Sequence, residues 1–372
     1  MRVKLGEVCT VVSGTTPKSA NPEYWNGNID WITPAELNDD VDIIYESQRK
    51  ITEKAVIESG LKPFPPGTVI LSSRAPIGKV AISGVEMYCN QGFKNLICSE
   101  RIYNRYLFWF LKKQKEYLNS LGRGATFKEI SKSIVEDIEI FLPVLEEQRK
   151  IAAVLDKVCE LIALRRKQLE RLNLMVKARF VEMFGDRWLN NMNWPTMPLR
   201  IAANFYNGKA HEKDIAFDGK FILVTSKYIA SDGTIYRKTD ACLFPLQIGD
   251  ICMVMSDVPN GRALAKCISI GKNNTYSLNQ RICCFRDYSL DSTFFFHLLN
   301  RHEYLLSFDD GDSQTNLRKD DLLNCPIIVP PMELQKQFAN FSIEIDKLKL
   351  PIQQSLDTLE VLKKSLMQEY FG

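Results

Sequence analysis

The chain has 372 residues, of which 45% are hydrophobic and 25% are charged, the balance of an ordinary globular protein. Single hydrophobic cores rarely grow beyond about 250–300 residues, so the length excludes a single small domain and predicts two or more domains. The net charge of +3 neither favours nor excludes a nucleic-acid partner, because what matters is the clustering of charge on one face.

The ten cysteines are scattered and include no CxxC pair, and most of them lie among apolar neighbours. This pattern predicts buried, reduced thiols in a cytosolic protein. It argues against a zinc site, whose ligands normally come in closely spaced pairs. No apolar run approaches the roughly 18 residues of a membrane helix, and the N-terminus lacks the layout of a signal peptide. A cytoplasmic location without membrane attachment is therefore predicted.

The first segment that suggests a chemistry is NPEYWNGNIDWITPAEL at residues 21–37. Its first four residues are one substitution away from the Asn/Asp-Pro-Pro-aromatic tetrapeptide of DNA amino-methyltransferases. However, Glu23 would place a carboxylate against the edge of the base, and the chain lacks a glycine-rich S-adenosylmethionine loop after a strand. Catalysis by this segment is rejected. Trp25 and Trp31 are instead expected to pack the wall of the globule, with a turn at Asn26 and Gly27 between them.

The first globule, residues 1–142, mixes short β-like runs with turn signals and is predicted to be α+β. The runs Val69–Leu71 and Val80–Ile82 are predicted strands, and an amphipathic segment follows at 103–121. RAPIGKV at 74–80 resembles a phosphate loop only at its Gly-Lys pair, so ATP binding is not supported.

A long helix is predicted over residues 143–186, and a second one over 330–372. In both, apolar residues recur at heptad spacing with charges elsewhere, which indicates a coiled coil. The two helices most simply pair with each other, and an antiparallel pairing would place the globules at opposite ends of one rod. Pro351 is expected to kink or break the second helix. The predicted seam consists of Leu155, Val158, Ile162, Leu169, Leu172, Val176, Phe338, Ile345, Leu348, Ile352, Leu359, Leu362 and Leu366.

The second globule, residues 187–329, and the helix after it repeat the first half of the chain in outline. FLPVLEEQRKIAAVLDKV is echoed by IVPPMELQKQFANFSIEI, with Gln148 matching Gln335, and fainter echoes upstream keep the same order. The chain is therefore predicted to be a pseudo-two-fold internal repeat of globule and helix. The second globule also has a late amphipathic segment at 292–308. Its predicted strands are Phe221–Thr225, Ile251–Met255 and Ile282–Phe285.

No catalytic constellation emerges from the polar residues. The acidic clusters LNDDVD and FDDGD are expected in solvated loops, and no nuclease-type arrangement of PD followed by a D/E-x-K pair is present. The three histidines cannot supply a three-His metal site with a spare base, and His297 and His302 are expected on a helix surface. Neither a metal site nor a catalytic residue is predicted.

Both globules instead contain turns rich in small polar and basic residues, in the same order. Arg and Lys suit guanine, Asn and Gln suit adenine, and Ser, Thr and turn amides suit phosphate. Ordinary surface loops contain such residues too, so it is their repetition that favours DNA. In the first globule the candidates are Thr16, Lys18, Ser72, Ser73, Arg74, Lys79, Asn90, Gln91, Lys94, Arg123, Thr126 and Lys128. In the second they are Asn207, Lys209, Ser226, Lys227, Tyr228, Ser256, Asn260, Arg262, Asn279, Gln280, Arg281, Gln314, Thr315 and Asn316.

At this point the sequence resembles the DNA-specificity (S) subunits of type I restriction–modification systems. The motifs that carry the resemblance are SGTTPKSANPEYWNGNIDWITPAEL, PPGTVILSSRAPIGKVAI, CNQGFKNL, GATFKEIS, FLPVLEEQRKIAAVLD and KARFVEMFGD. The resemblance covers the whole chain and is weaker from 187 to 329. It implies an α+β fold in which two α/β target-recognition domains are separated by two long antiparallel coiled-coil helices.

The resemblance also implies a function. Each globule would read one half of a split target in double-stranded DNA, while the helices would set the gap and dock two methyltransferase (M) subunits. S-adenosylmethionine, and ATP with Mg²⁺, would lie on partner subunits, and the sequence leaves open whether restriction (R) subunits are among them. The chain itself would have no active site and no cofactor.

Two other interpretations are weighed against this one. A fused nuclease and methyltransferase would need catalytic motifs and far more residues than the chain has. A non-catalytic coiled-coil adaptor, binding another nucleic acid or a protein partner, fits the same layout. It differs in predicting no salt-dependent affinity for duplex DNA.

Overall fold

The structure is a computed structural model that describes residues 1–38, 41–74, 76–123, 128–211, 213–259 and 261–372. The chain divides into two compact units. Unit 1 comprises Met1–Arg166 and Gln354–Gly372, and unit 2 comprises Lys167–Gln353. Each unit contains one globule and a part of each long helix. The division of the chain into the segments 1–142, 143–186, 187–329 and 330–372 stays a prediction. A helix with the length and hydropathy of a membrane span is absent from the described ranges.

The core of unit 1 is a five-stranded sheet whose neighbours are antiparallel, except for a parallel last pair. Helix Asn104–Lys113 packs its apolar residues, among them Tyr106 and Leu107, into the same core as the sheet. The predicted strands Val69–Leu71 and Val80–Ile82 are confirmed. The order of the sheet is Cys9–Ser13, Lys94–Cys98, Val69–Leu71, Val80–Ser83 and Ile43–Ile44.

Apart from the long helices, the described remainder of unit 1 consists of two small sheets and short helices. A three-stranded sheet has the order Lys50–Ile51, Trp25–Ile32, Tyr88–Cys89, and strand Arg2–Lys4 pairs with Glu139–Phe141. The amphipathic segment predicted at 103–121 is helical, but it is divided into two helices. The helices are Leu5–Val8, Pro22–Tyr24 (a 3-10 turn), Glu53–Glu58, Asn104–Lys113, Lys115–Leu121 and Lys132–Glu136.

The two tryptophans of the NPEYW segment lie in the wall of the first globule, as predicted. Trp31 is buried, and its ring meets that of Trp25 edge to face at 5.1 Å. The predicted turn at Asn26 and Gly27 is wrong, because both of these residues belong to strand Trp25–Ile32. Asn26 has a φ of 61°, and the strand register shifts there. Asparagine tolerates this left-handed conformation, so the Asn-Gly pair forms a bulge instead of a turn.

Unit 2 repeats this topology, without the fifth strand. Its larger sheet has the order Asn204–Asn207, Ile282–Arg286, Ile251–Val254, Cys267–Ser269, and its smaller sheet has the order Arg237–Thr239, Phe221–Val224, Tyr276–Leu278. In the smaller sheet of each unit the first pair is antiparallel and the second parallel. The fold class, the internal repeat and the three predicted strands are confirmed. Thr196–Pro198 pairs with Pro326–Ile328, Ser256–Asp257 pairs with Thr315–Asn316, and the short helices are Leu199–Ala202, Ser226–Ala230, Ser292–Leu299, Glu303–Leu306 and Lys319–Leu323.

The two long helices span Leu145–Phe184 and Met332–Phe371, as predicted. In unit 1, Leu155 shares a core with Met367, and Arg166 pairs with Glu360 at 2.8 Å. In unit 2, Phe180 contacts Phe338 with ring centroids 5.3 Å apart, and Val176 shares a core with Ile345. Within each unit the residue numbers fall along one helix as they rise along the other, so the two helix parts are antiparallel.

Two predicted seam residues are exposed. Leu348 and Leu362 have 55% and 43% of their surface accessible, whereas Leu356 and Met367 are buried. An α-helix has 3.6 residues per turn, so a strict heptad count drifts by about 20° per heptad away from the buried face. Among the other predicted residues, Leu155, Val158, Ile162, Val176, Phe338 and Ile345 are buried, and Leu169, Leu172, Ile352, Leu359 and Leu366 are half-buried.

Pro351 does not break the second helix, which continues through it to Phe371. Proline lacks the backbone N–H that would bond to the carbonyl of Lys347. Both residues are exposed, and on this exposed face of the helix water can supply the donor that proline lacks. The predicted break is therefore wrong.

Each long helix is anchored to the globule of its unit by a buried glutamine. The Gln148 Oε1 accepts from the Tyr103 amide at 2.8 Å, and its Nε2 donates to the carbonyls of Pro143 and Arg101 at 2.9 and 3.1 Å. The Gln335 Oε1 accepts from the Asp291 amide at 2.9 Å, and its Nε2 donates to Pro330 at 2.8 Å. The repeat seen in the sequence is thus a repeat of the same buried contact.

The histidines are interior residues, which corrects the expectation that His297 and His302 lie on a helix surface. His302 is fully buried, and its Nδ1 accepts from the Tyr304 amide at 3.2 Å. His297 is mostly covered and bonds to Ser342 Oγ at 3.1 Å. Burial lowers the pKa of both His297 and His302 to about 4. Both imidazoles are therefore neutral at neutral pH.

Acid should destabilise unit 2 through these two histidines. Their pKa is lower in the folded state than the ordinary 6.5. Their contribution to the stability of the fold is therefore complete above pH 6.5 and is lost as the pH falls toward 4. From pH 7 to pH 5 each should lower the free energy of unfolding by about 2 kcal/mol. His302→Asn keeps a cap for the Tyr304 amide but cannot be protonated. Urea denaturation at both pH values should show a smaller loss for the variant, and an equal loss would contradict this account.

Candidate nucleic-acid interface

In unit 1 the predicted contact residues gather at one edge of the larger sheet. The strand register places Ser13 opposite Lys94, and Leu71 opposite Val80. Two strands therefore end at the same edge at which their antiparallel neighbours begin. The loops at this edge therefore lie side by side. We call this surface edge 1, and its described candidate residues are Thr16, Lys18, Ser72, Ser73, Arg74, Lys79, Asn90, Gln91, Lys94, Arg123 and Lys128.

The later loop reaches edge 1 through backbone hydrogen bonds. The Ile130 amide donates to the Ser73 carbonyl at 3.0 Å, and Arg123 and Glu129 exchange two backbone bonds, each of 3.0 Å. Arg123 and Lys128 are thereby brought to the edge, although they lie far from Arg74 in the sequence. Thr126 lies outside the described residues.

The side chains of edge 1 that face solvent are mostly amide and cationic. Lys18, Gln91, Arg123 and Lys128 are exposed, and the Thr16 hydroxyl donates to Gln91 Oε1. Thr16, Arg74 and Asn90 are half-buried. The exposed set offers hydrogen-bond donors to phosphates and donors and acceptors to base edges, which is the chemistry that DNA recognition uses.

Four candidates at edge 1 brace the loops instead of facing a ligand. Ser72 and Ser73 are fully buried, and the Ser72 hydroxyl donates to the Pro76 carbonyl at 2.7 Å. The Lys79 ammonium donates to the carbonyls of Pro34 and Leu37 at 3.1 and 2.6 Å. Lys94 is also buried. The prediction of side-chain contacts with DNA is not supported for these four residues.

Glu129 is a residue of edge 1 that the sequence analysis missed. Its carboxylate accepts from the Lys94 ammonium at 3.0 Å, and an Arg74 nitrogen lies 3.8 Å away. It therefore neutralises the buried Lys94 and restrains the guanidinium of Arg74 at the surface. Its position directly after the basic turn GRGATFK was the available signal, but an acidic residue does not fit a search for phosphate partners.

In unit 2 the same strand ends form an equivalent surface, which we call edge 2. The register places Asn207 opposite Cys283, Val254 opposite Ile282, and Met253 opposite Cys267. Asn260 lies outside the described residues. The candidate residues at edge 2 are Asn207, Lys209, Ser226, Lys227, Tyr228, Ser256, Arg262, Asn279, Gln280, Arg281, Gln314, Thr315 and Asn316.

Backbone and side-chain bonds join the loops of edge 2. The Lys209 amide donates to the Leu278 carbonyl at 3.0 Å, and the Asn279 amide donates to that of Val224 at 3.2 Å. The Val224 bond brings the helix that begins at Ser226 to the edge. The Gln314 Nε2 donates to Ser256 Oγ at 2.8 Å, which brings in the strand Thr315–Asn316.

Most candidates at edge 2 are accessible, and two are not. Tyr228 is buried, and its ring lies 6.1 Å from that of Tyr276 in a hydrophobic cluster. Thr315 is buried and donates to Asp309 Oδ1 at 2.9 Å. These two residues are therefore structural. Ser226, Ser256 and Asn279 are half-buried, and the exposed candidates are Asn207, Lys209, Lys227, Arg262, Gln280, Arg281, Gln314 and Asn316.

At both edges a glycine is required directly after the first strand of the larger sheet. At Gly14 a Cβ would overlap the carbonyl oxygen of Cys89, and at Gly208 it would overlap that of Asn279. The chain crosses the neighbouring loop at this point in each unit. Since only glycine permits so close a backbone approach, the SGT and NGK turns share a structural cause.

Metal-binding clusters and cysteine thiols were the other candidate chemistries in the described residues. They contain no group of three or more His, Cys, Asp or Glu side chains that could hold a metal ion. Every cysteine is a free thiol, and burial raises the pKa of Cys89 and Cys325 to about 12. Seven of the ten thiols are buried as predicted, whereas Cys98, Cys159 and Cys242 are half-buried. The raised pKa of Cys89 and Cys325 disfavours nucleophilic chemistry at these two.

Comparison with known proteins gives one consistent result. The family model for the "Type I restriction modification DNA specificity domain" matches residues 1–174 and again 189–360. The MjaIX specificity subunit of Methanocaldococcus jannaschii is 41% identical over 186 residues, which cover 49% of this chain and only 43% of that subunit. The MjaVIII specificity subunit of the same organism is 25% identical, over 98% of this chain and 90% of that one.

A solved structure gives the same result for the fold. The type I restriction–modification S subunit from M. genitalium superposes with a TM-score of 0.61 over 100% of this chain and 96% of that chain. The sequence identity is 15%, so this likeness concerns the fold alone.

Proposed function

The chain belongs to the family of type I restriction–modification DNA-specificity domains, whose model matches both of its halves, and from this premise we propose how it reads DNA. Specificity subunits of these systems recognise DNA and are not catalytic. Edge 1 reads one half of a bipartite target and edge 2 reads the other. The observation that carries this proposal is the equivalence of the two edges, which are built on sheets of the same order and rimmed by amide and cationic side chains.

The accessible residues, among which Arg74 is half-buried, divide by chemistry into two roles. Gln91, Arg74, Asn207 and Arg281 have the amide or guanidinium groups that pair with adenine or guanine in the major groove. Lysines such as Lys18, Lys128, Lys209 and Lys227 suit phosphates, which position the protein without reading sequence. The near-neutral net charge leaves much of the phosphate contact to partner subunits.

The long helices are the proposed docking surface for two M subunits, and the length of the helix between the globules sets the gap in the target. Apolar side chains on these helices, among them Leu174, Val181, Leu350 and Val361, have more than half of their surface exposed. Exposed apolar residues along a helix suit a protein partner. S-adenosylmethionine lies on the M subunits, and ATP with Mg²⁺ lies on R subunits in systems that have them.

The proposal is tested by DNA binding of the full chain co-purified with its M subunits. Comparing methylated motifs in cells with and without the gene supplies the target sequence. The complex should bind this duplex at least about 1,000-fold more tightly than an unrelated one, and its affinity should fall steeply with salt. A coiled-coil adaptor would show neither property, and that result would exclude the proposal.

A further inference from the structure

Phe217 of unit 2 is the most exposed of the large hydrophobic side chains in the described ranges, with 97% of its surface accessible. Tyr236 and Ile215 beside it are 52% and 46% exposed. A surface pocket of about 500 Å³ lies between these residues, and Asp218, Arg237 and Lys238 also line it. An isolated exposed phenyl needs no explanation, but an aromatic pocket with a cationic border indicates a ligand.

The backbone that carries Phe217 is firmly held. The Ala216 amide donates to the Lys238 carbonyl at 3.1 Å. The buried Thr239 hydroxyl donates to the Asp214 carbonyl at 2.8 Å. Gly219 packs so closely on Thr239 that a Cβ there would lie 2.6 Å from its backbone nitrogen. The phenyl ring therefore projects from a fixed backbone, so a ligand that covers it need not order the loop first.

Phe217 lies toward the end of the smaller sheet that joins edge 2. Ile215 lies opposite Thr239, and the turn that follows carries Phe217 to the pocket that it lines together with Arg237. Arg237 lies opposite Leu223. Val224 follows at this end, where its carbonyl accepts from the Asn279 amide. Phe217 therefore belongs to the same end as Asn279 and the helix beginning at Ser226.

We infer that Phe217 is a wedge that inserts between two bases of the half-site read by edge 2. Apolar side chains inserted at a base step unstack it and bend the duplex. Arg237 and Lys238 would contact the flanking phosphates, while on the described part of the loop the positive charges of Lys213 and Lys220 offset the negative charges of Asp214 and Asp218. The inference rests on the proposed function. It adds a contact through which recognition depends on how easily the DNA is deformed, as well as on its base edges.

The test uses the full chain assembled with M subunits and a target duplex that carries 2-aminopurine at successive steps of the second half-site. The complex should raise the fluorescence at one step, which marks unstacking. Phe217→Ala should abolish this rise and weaken binding about tenfold, because stacking is worth about 1–3 kcal/mol per base. Phe217→Leu, which keeps an apolar wedge, should retain the rise. Ile248→Ala is the matched control, since Ile248 is 62% exposed and precedes strand Ile251–Val254, at its far end from edge 2.

The outcomes separate this inference from the proposed function. Unchanged fluorescence and affinity in Phe217→Ala, with specific binding intact, would overturn the wedge alone. Loss of M subunits from the Phe217→Ala complex would assign the patch to a protein partner and would also overturn the wedge. If the unmodified complex has no sequence preference, the proposed function itself fails.

Discussion

Replacing Arg74 and Gln91 together by alanine is expected to weaken binding of the target duplex about 100-fold, because each well-placed base contact contributes about 1–3 kcal/mol. The loss should be confined to one half-site. The variant should no longer distinguish the target from a duplex in which the first half-site is scrambled, but it should still reject one with a scrambled second half-site. Titration of the complex with these three duplexes measures both effects.

The matched control for this pair is Arg2→Ala. Arg2 is exposed and lies in the strand Arg2–Lys4, which precedes the sheet at the end away from edge 1. Arg2→Ala removes a guanidinium charge, as the double variant does, but at a position away from edge 1. It should therefore leave the preference for both half-sites unchanged. An equal loss of affinity in Arg2→Ala, or a loss of discrimination at both half-sites in the double variant, would contradict the assignment of edge 1.

Gln148→Ala and Gln335→Ala are each expected to lower the free energy of unfolding by about 3 kcal/mol, since a buried polar group left without its partner costs about 1–3 kcal/mol. Gln148→Ala strands the Tyr103 amide and the carbonyls of Pro143 and Arg101. Gln335→Ala strands the Asp291 amide and the Pro330 carbonyl. Urea denaturation gives the magnitude.

Hydrogen exchange locates this effect. Gln148→Ala should accelerate exchange most in helix Asn104–Lys113, which begins directly after Tyr103. Gln335→Ala should act on helix Ser292–Leu299, which follows Asp291. Gln354→Ala, at an exposed position of the second long helix, is the control and should change the stability by about 0.5 kcal/mol or less. Losses below that value in Gln148→Ala and Gln335→Ala would show that these contacts do not anchor the helices.

The sequence predicted the repeat, the strands and the long helices because each depends on local pattern. Gln148 and Gln335 occupy the same place in a repeated motif, and both form the same buried contacts. The runs at Val69, Ile251 and Ile282 are apolar and bounded by turn residues, which is sufficient to define a strand.

Burial at the edges could not be predicted, because it depends on contacts between residues far apart in the chain. Ser73 is covered because residues 92 and 130 bond to its backbone, and no local pattern reports that. The same cause places Glu129 beside Lys94 and leaves Phe217 exposed in spite of its apolar side chain. Leu348 and Leu362 were misplaced for a different reason, because a heptad count does not follow the 3.6-residue period of a helix.

The central claim is that the two edges read different halves of one target, and reciprocal variants in cells test it most directly. Methylated motifs would be mapped by sequencing in cells that express either the Arg74→Ala and Gln91→Ala variant of edge 1 or an Asn207→Ala and Arg281→Ala variant of edge 2. The account predicts that the edge 1 variant relaxes the motif in one half only and that the edge 2 variant relaxes it in the other half only. Relaxation of the same half by both variants, or of both halves by either one, would contradict it.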